Sequence, residues 1–314
     1  MGLEYLRSAR QIANDGLHVF LNGYQYHAFL NFVEIYDVNG VWGKLNERLG
    51  GRGVRNLEEE LKFMQLEPVL NPLRAVLSQK TIDSIKGGAK EGMSIIKKDI
   101  SKLYDAIMAY MNWVTMDESI MSASIMNIEK LSLLCSDKRL ADSIIGREHI
   151  LLGAIIIDSF KKLQAGKSEI RQREFINDLF NDWMLRPALR SCFESIAGDE
   201  STAYADVLLT EVLVKFPELV SDLYEKEEIK FGGDFIDTGF VKEYLQVNEY
   251  EGNWYFNKEY FEKLIETLLS LTIIKNPQKS LSKKKYSALC KVALNSKKMA
   301  EKLSYRLDKF VILK

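Results

Sequence analysis

A chain of 314 residues that is 46% hydrophobic and 28% charged, with five prolines and 11% aromatics, has the composition of a folded, helix-rich protein. Its 43 basic and 44 acidic residues give a net charge of −1, which excludes a global attraction to nucleic acid or anionic membrane. The three cysteines, Cys135, Cys192 and Cys290, are widely spaced, so neither a disulfide framework nor metal-ligand spacing is present and a reducing, cytoplasmic compartment is expected. The sequence after Met1 is at once charged and amphipathic, unlike a signal peptide. The longest apolar run, residues 150–157, is far short of the ~20 residues a membrane span needs.

Along the chain, residues 3–14 predict a short helix stopped by Gly16. Residues 17–21 and 24–30 then predict two strands of a β-hairpin around Asn22-Gly23, both of which tolerate the positive φ of a tight turn. Apolar residues fall on both faces of this hairpin, so it needs cover from helices or from a sheet that the rest of the chain does not contain. Residues 41–49 predict a helix, Gly50-Gly51-Arg52-Gly53 a loop, and Asn56 an N-cap for a helix with the stripe Leu57, Leu61 and Met64 that Pro68 and Pro72 break or kink. Residues 79–93 define no clear element, with Gly87-Gly88 and Gly92 marking a loop. Ile96, Ile100, Leu103, Ile107, Met111 and Val114 lie three to four residues apart and predict a long amphipathic helix, followed by another over 119–135. Residues 147–163 are apolar all round for two turns, which predicts a helix at the centre of a bundle. Further helices are expected over 169–184, from Pro187 to Ala197, up to Phe216, and from Pro217. The polar stretch 225–233 is the best internal boundary. A helix up to Leu245, a short β element over 249–256 and a helix from Asn257 to Ile274 then form a helix–hairpin–helix that is loosely winged-helix-like.

The charge is uneven. Residues 275–314 hold twelve Lys or Arg and two acids, hence +10, and the other 274 residues sum to −11. The preferred reading of this tail is a basic helical face docked against an acidic partner surface; a nucleic-acid grip is a weaker one.

Each candidate constellation has a plainer explanation that outweighs it. Gly50-Gly51-Arg52-Gly53 lacks the preceding strand and the Gly-Lys-Ser/Thr ending of a phosphate loop. His18, His27 and His149 have no cysteine or carboxylate cluster at ligand spacing, so no metal and no cofactor is expected. The Ser-x-x-Lys patterns at Ser94, Ser159 and Ser282 are what a lysine-rich chain yields by chance. Aromatic patches at Tyr24 and Tyr26, and at Tyr250, Trp254, Tyr255 and Phe256 with Asn253 and Asn257, suit core packing; if one of them stacks on sugar rings, the hairpin tip around Trp254 and Tyr255 is the choice.

The runs GLEYLRS (residues 2–8), LHVFLNGYQYHAFLNFVEIYD (17–37), WGKLNERLGGRGV (42–54) and LEEELKFMQLEPVLNPLR (57–74) resemble a segment of the C-terminal half of large bacterial proteins of the α-amylase family. Residues 240–268 are similar to a later part of the same region. The resemblance implies that residues 17–30 correspond to the last strands of the antiparallel β domain that follows the catalytic barrel. The family's catalytic residues have no positions to map onto, since the chain contains no Gly-x-Arg-x-Asp strand end, no His-Asp dipeptide and no eightfold β/α alternation.

The expectation is therefore a mainly α fold: a multi-helix bundle with an N-terminal β-hairpin and a helix–hairpin–helix near the C-terminus, organised as 1–55, 56–230 and 231–314. The expected function is a non-catalytic accessory or scaffolding domain of an α-amylase-family protein, packed on its parent's β domain or another protein. Contact with α-glucan polysaccharide would run through Trp254, Tyr255, Tyr250 and Asn253. The alternative is a helical protein–protein adaptor using the basic tail; nucleic-acid binding through 235–314 is the weakest, and no membrane partner is expected.

Overall fold

A computed structural model describes residues 2–88, 90–112, 117–136, 144–164, 168–276 and 281–312. The protein is mainly α-helical, with one two-stranded antiparallel sheet among the described residues. The chain divides into two compact units, residues 1–67 and 68–314.

In the first unit, Ser8 caps α1 (Ala9–Asp15) by accepting from the Gln11 amide, and Gly16 ends it with φ 78°. Residues 3–8 are extended rather than helical, because Glu4 pairs with Val54 through two backbone hydrogen bonds of 2.7 and 2.9 Å. Helix α2 (Val41–Leu49) begins where Asp37 accepts from the amides of Trp42 and Gly43 at 3.1 and 2.7 Å, and it ends at Gly50 in the left-handed region. Its buried residues Leu45 and Leu49 join Val54, Leu6, Trp42, Leu57, Leu61 and Met64 in a small core.

The hairpin expected over 17–30 does not form a ladder. Its turn is present, with the Gln25 N–H donating to the Asn22 C=O at 3.0 Å and Tyr24 at φ 63°. The flanking runs nevertheless pair with nothing among the described residues. An isolated two-stranded ribbon is marginal in water, and neither of its apolar faces is covered here.

Helix α3 (Leu57–Val76) starts as expected at Asn56, whose Oδ1 accepts from the Glu59 amide at 3.0 Å. It continues through Pro68 and Pro72, so of the expected break or kink the break does not occur. Each proline forfeits one helical hydrogen bond, but Leu66, Val69, Leu70, Leu73 and Val76 are buried around them, and that burial holds the helix.

In the second unit, a stretch whose sequence defines no clear element forms α4 (Gln79–Gly87), capped by Ser78 and closed by Gly88 at φ 63°. The glycines there terminate a helix rather than replace it. Helix α5 (Lys90–Tyr110) buries Ile96, Ile100, Leu103 and Ile107 as the stripe requires; Val114 lies outside the described residues. After α6 (Glu118–Ser136) comes α7 (Glu148–Lys161), in which His149 to Ile157 are all buried. Helices α8 (Glu169–Asn181), α9 (Leu185–Ala197) and α10 (Glu200–Lys215) pack on α7 together with α6, so the helix that carries the apolar run 150–157 does sit at the centre of these four. Gly153 permits the approach, since a Cβ there would lie 3.2 Å from Phe193 and 3.4 Å from Thr210.

Helices α11 (Glu218–Lys226), α12 (Gly233–Asp237) and α13 (Gly239–Tyr244) lead to β1 (Asn248–Tyr250) and β2 (Asn253–Tyr255). The ribbon turns at Glu251-Gly252, both at positive φ. Asn257 then caps α14 (Lys258–Lys275) by accepting from the amides of Glu259 and Tyr260. Helix α15 (Lys283–Lys302) packs on α14 and α11, and α16 (Leu307–Ile312) lies against β2. The helix–hairpin–helix expected near the C-terminus is thus present, inside the second unit.

Candidate functional site

Three places draw together residues with chemical or binding potential: the bare N-terminal segment, a buried polar cluster and the β1–β2 ribbon.

Between residues 9 and 40, every side chain except Phe29 is exposed. Phe20 is 96% exposed, Tyr26 87% and Val38 90%, and Leu30, Phe32, Val33 and Tyr36 are similarly bare. The backbone–backbone bond from Gln25 to Asn22 is the one made between residues 17 and 35 among the described residues. The segment therefore presents both unpaired amides and carbonyls and a dense apolar surface. Isolated exposed apolar residues are ordinary; a contiguous run of this size is the signature of a surface that another surface covers. His18 and His27 lie here, both exposed, and His27 meets only the edge of Phe29, which in turn meets Tyr5.

The glycine-rich loop at 50–53 borders an open cleft of about 320 Å³ lined by Leu3, Arg52, Arg55, Asn56, Glu59 and Phe63, among others. It is not poised for phosphate. The α3 amides that an anion would use are taken: Glu4 Oε2 accepts from the Leu57 N–H at 2.7 Å and Asn56 Oδ1 from the Glu59 N–H. Arg7 spans the loop instead, donating to the Leu6 and Gly51 carbonyls at 2.8 and 2.9 Å. The tight connecting loop preferred from sequence is what these contacts describe.

In the second unit, His149 on α7 places Nε2 2.8 Å from Asp206 Oδ2 on α10, and the Lys263 ammonium on α14 donates to Asp206 Oδ1. Asp206 is 1% exposed. Phe193 meets the His149 ring edge-on at 4.8 Å, and the buried Tyr244 donates to the Tyr260 carbonyl at 2.9 Å. Burial, with Asp206 close by, raises the Tyr244 phenol well above its ordinary value, so it stays protonated. One helical turn further along α14, Glu266 accepts from both Arg147 and Lys297. A histidine–carboxylate–lysine trio has the makings of acid–base chemistry, but His149 is 4% exposed and Asp206 1%, and no member lines the cleft beside Arg52 or the small apolar cavity beside Phe231. It acts as a polar clip joining α7, α10 and α14. Sequence reading left His149 without a partner because both bonds of the trio span 57 residues. The available signal was Asp206 and Glu211 standing in the largely apolar run 203–214.

The Ser-x-x-Lys patterns resolve into structural roles. Ser159 hydrogen-bonds Tyr104, Ser282 caps α15, and Ser94 is exposed on α5, where the lysine of its pattern, Lys97, pairs with Glu129 at 2.8 Å. Burial pushes the Cys135 and Cys192 thiols up to about 11, which keeps them unreactive at neutral pH. Among the described residues no group of three or more His, Cys, Asp or Glu could hold a metal ion, and no helix is long and apolar enough to cross a membrane.

The ribbon register separates the four sugar-site candidates. Tyr250 pairs with Asn253 and Asn248 with Tyr255, while Glu249 pairs with Trp254. Alternation along each strand therefore puts Tyr250, Asn253 and Tyr255 on one face and Trp254 on the other. Tyr250 is 64% exposed and Trp254 48%, but they do not form a single stacking platform.

Comparison of the chain with protein-family models, with curated proteins and with solved structures finds no match.

Proposed function

We propose that the chain is a non-catalytic helical scaffolding unit whose residues 17–38 add to an antiparallel β domain, that of an α-amylase-family glycoside hydrolase. The observation that carries this reading is the bare, unpaired, apolar segment between α1 and α2. An extended chain with free amides and carbonyls gains its ladder by joining a sheet edge, while its alternating side chains fill pockets on the sheet's faces. The resemblance of residues 17–30 to the last strands of the amylase β domain supplies the partner class. The burial of Asp206 and the occupied amides of α3 support the non-catalytic part, and three free thiols fit a reducing cytoplasm. Where α-glucan contact contributes, the reading gives it to Tyr250, Asn253 and Tyr255, which share a ribbon face.

Amide hydrogen exchange tests the proposal. The amides of residues 17–36 exchange rapidly in the chain alone and become protected when a recombinant amylase-family β domain is added. Unchanged exchange at saturating β domain overturns the docking reading. Release of reducing sugar from starch or glycogen by this chain alone overturns the non-catalytic one.

A further inference from the structure

Helix α15 carries seven lysines and one acid, Glu301. Two lysines point inward to acids: Lys285 donates to Glu227 at 2.9 Å and lies over the Tyr224 ring, and Lys297 donates to Glu266. The other five, Lys283, Lys284, Lys291, Lys298 and Lys302, are exposed and take part in no ion pair among the described residues. Lys284, Lys291 and Lys298 recur every seven residues and Lys302 follows one turn on. At 3.6 residues per turn these four form one straight stripe roughly 27 Å long. The stripe lies opposite the buried edge of the helix, Leu289, Ala293 and Ala300. Leu294 and Met299, both about half-exposed, flank it on either side.

A second feature points the same way. The first turn of α15 holds Lys283, Lys284 and Lys285 and no acid, although a helix N-terminus carries positive partial charge. The serine cap satisfies one amide there, with the Lys285 N–H donating to Ser282 Oγ at 3.2 Å, but leaves the charge uncompensated.

We infer that the outer face of α15 is a docking surface for an acidic amphipathic helix of a partner protein. Charge complementarity requires an anionic occupant. The chemistry of the stripe favours protein over the other polyanions. It contains neither the arginines nor the stacking aromatics with which proteins hold nucleic acid, and residues 1–274, at −11, repel a long polyanion. A membrane would require the apolar edge of the helix to face outward, and that edge is buried in the bundle. A partner helix with carboxylates at a seven-residue repeat matches the lysine spacing, and apolar residues beside them meet Leu294 and Met299. So narrow a contact makes a transient, salt-sensitive complex rather than an obligate one.

The test is a titration of the full chain with three probes. These are a synthetic amphipathic helical peptide with glutamates at a seven-residue repeat, a short DNA duplex, and phosphatidylcholine vesicles containing phosphatidylserine. The peptide is expected to bind tightest, and its affinity to fall by about tenfold or more as ionic strength rises from roughly 0.01 M to 0.15 M. Combining Lys284→Glu, Lys291→Glu and Lys298→Glu is expected to abolish peptide binding while circular dichroism stays unchanged. Should that triple variant misfold, Lys291→Ala with Lys298→Ala weakens binding without introducing new charge. Tighter binding of duplex or vesicles than of peptide overturns the proposal, as does peptide binding that ignores these substitutions or no peptide binding at low ionic strength.

Discussion

Asp158 on α7 lies between two ammonium groups, Lys275 at 2.6 Å and Lys161 at 3.0 Å. Burial by itself would raise its carboxyl, but the two lysines outweigh that and hold it at about 2, below the ordinary 3.8. A carboxyl depressed by folding stabilises the native state above its unfolded value and loses that contribution as pH falls through its folded value. Stability should therefore drop by about 1–2 kcal/mol between about pH 5 and pH 2 through this group, read from urea unfolding at each pH. Asp158→Asn should remove that part of the pH dependence. Single residues of this kind divide sharply in how readable they are. Caps such as Asn56 and Asn257 follow from local sequence because their partners are two or three residues away. The Asp158–Lys275 and His149–Asp206 pairs do not, because tertiary folding alone brings their members together.

The helices were legible wherever one apolar stripe ran for several turns, as in α5, α7 and α14. They were least legible where glycines crowded the chain. Gly87 is the last residue of α4 and Gly88 its left-handed cap, so this pair marks the junction with α5, whereas Gly92 sits inside α5. Gly153 is informative in the opposite sense: it lies in the centre of α7 because neighbouring side chains leave little room for a Cβ. Gly153→Val should cost about 1–3 kcal/mol by forcing Phe193 and Thr210 outward, even though valine is the better helix former; a thermal melt against wild type measures this. The N-terminal strands mark the limit of reading elements from pattern. Asn22-Gly23 forms the turn that its residues dictate, but period-two apolar residues specify a strand only where a neighbouring sheet is present. The ribbon at 248–255 shows the complement, for it forms where β2 packs on α16 and Tyr255 bridges to Arg306.

For the molecule as a whole, the sequence conveyed a mainly helical protein with a buried central helix. The division at Glu67 and Pro68 was not legible, because it falls inside a continuous helix with no change of composition to mark it. What remains exposed is an apolar segment towards one end of the chain and a lysine face near the other, and the proposed docking rests on these two surfaces.

The Glu4–Val54 backbone bridge has a further consequence. With Arg7 bonded to Gly51 and Asp37 to the start of α2, the stretch between them is tied down at both of its ends. Phe20, Tyr24, Tyr26 and Tyr36 stand bare within it and suit chymotrypsin. A light digest should accordingly sever the chain there without separating the pieces. The product would travel as one species in native size-exclusion chromatography and as two bands once denatured, because the severed ends remain fastened to the same small core.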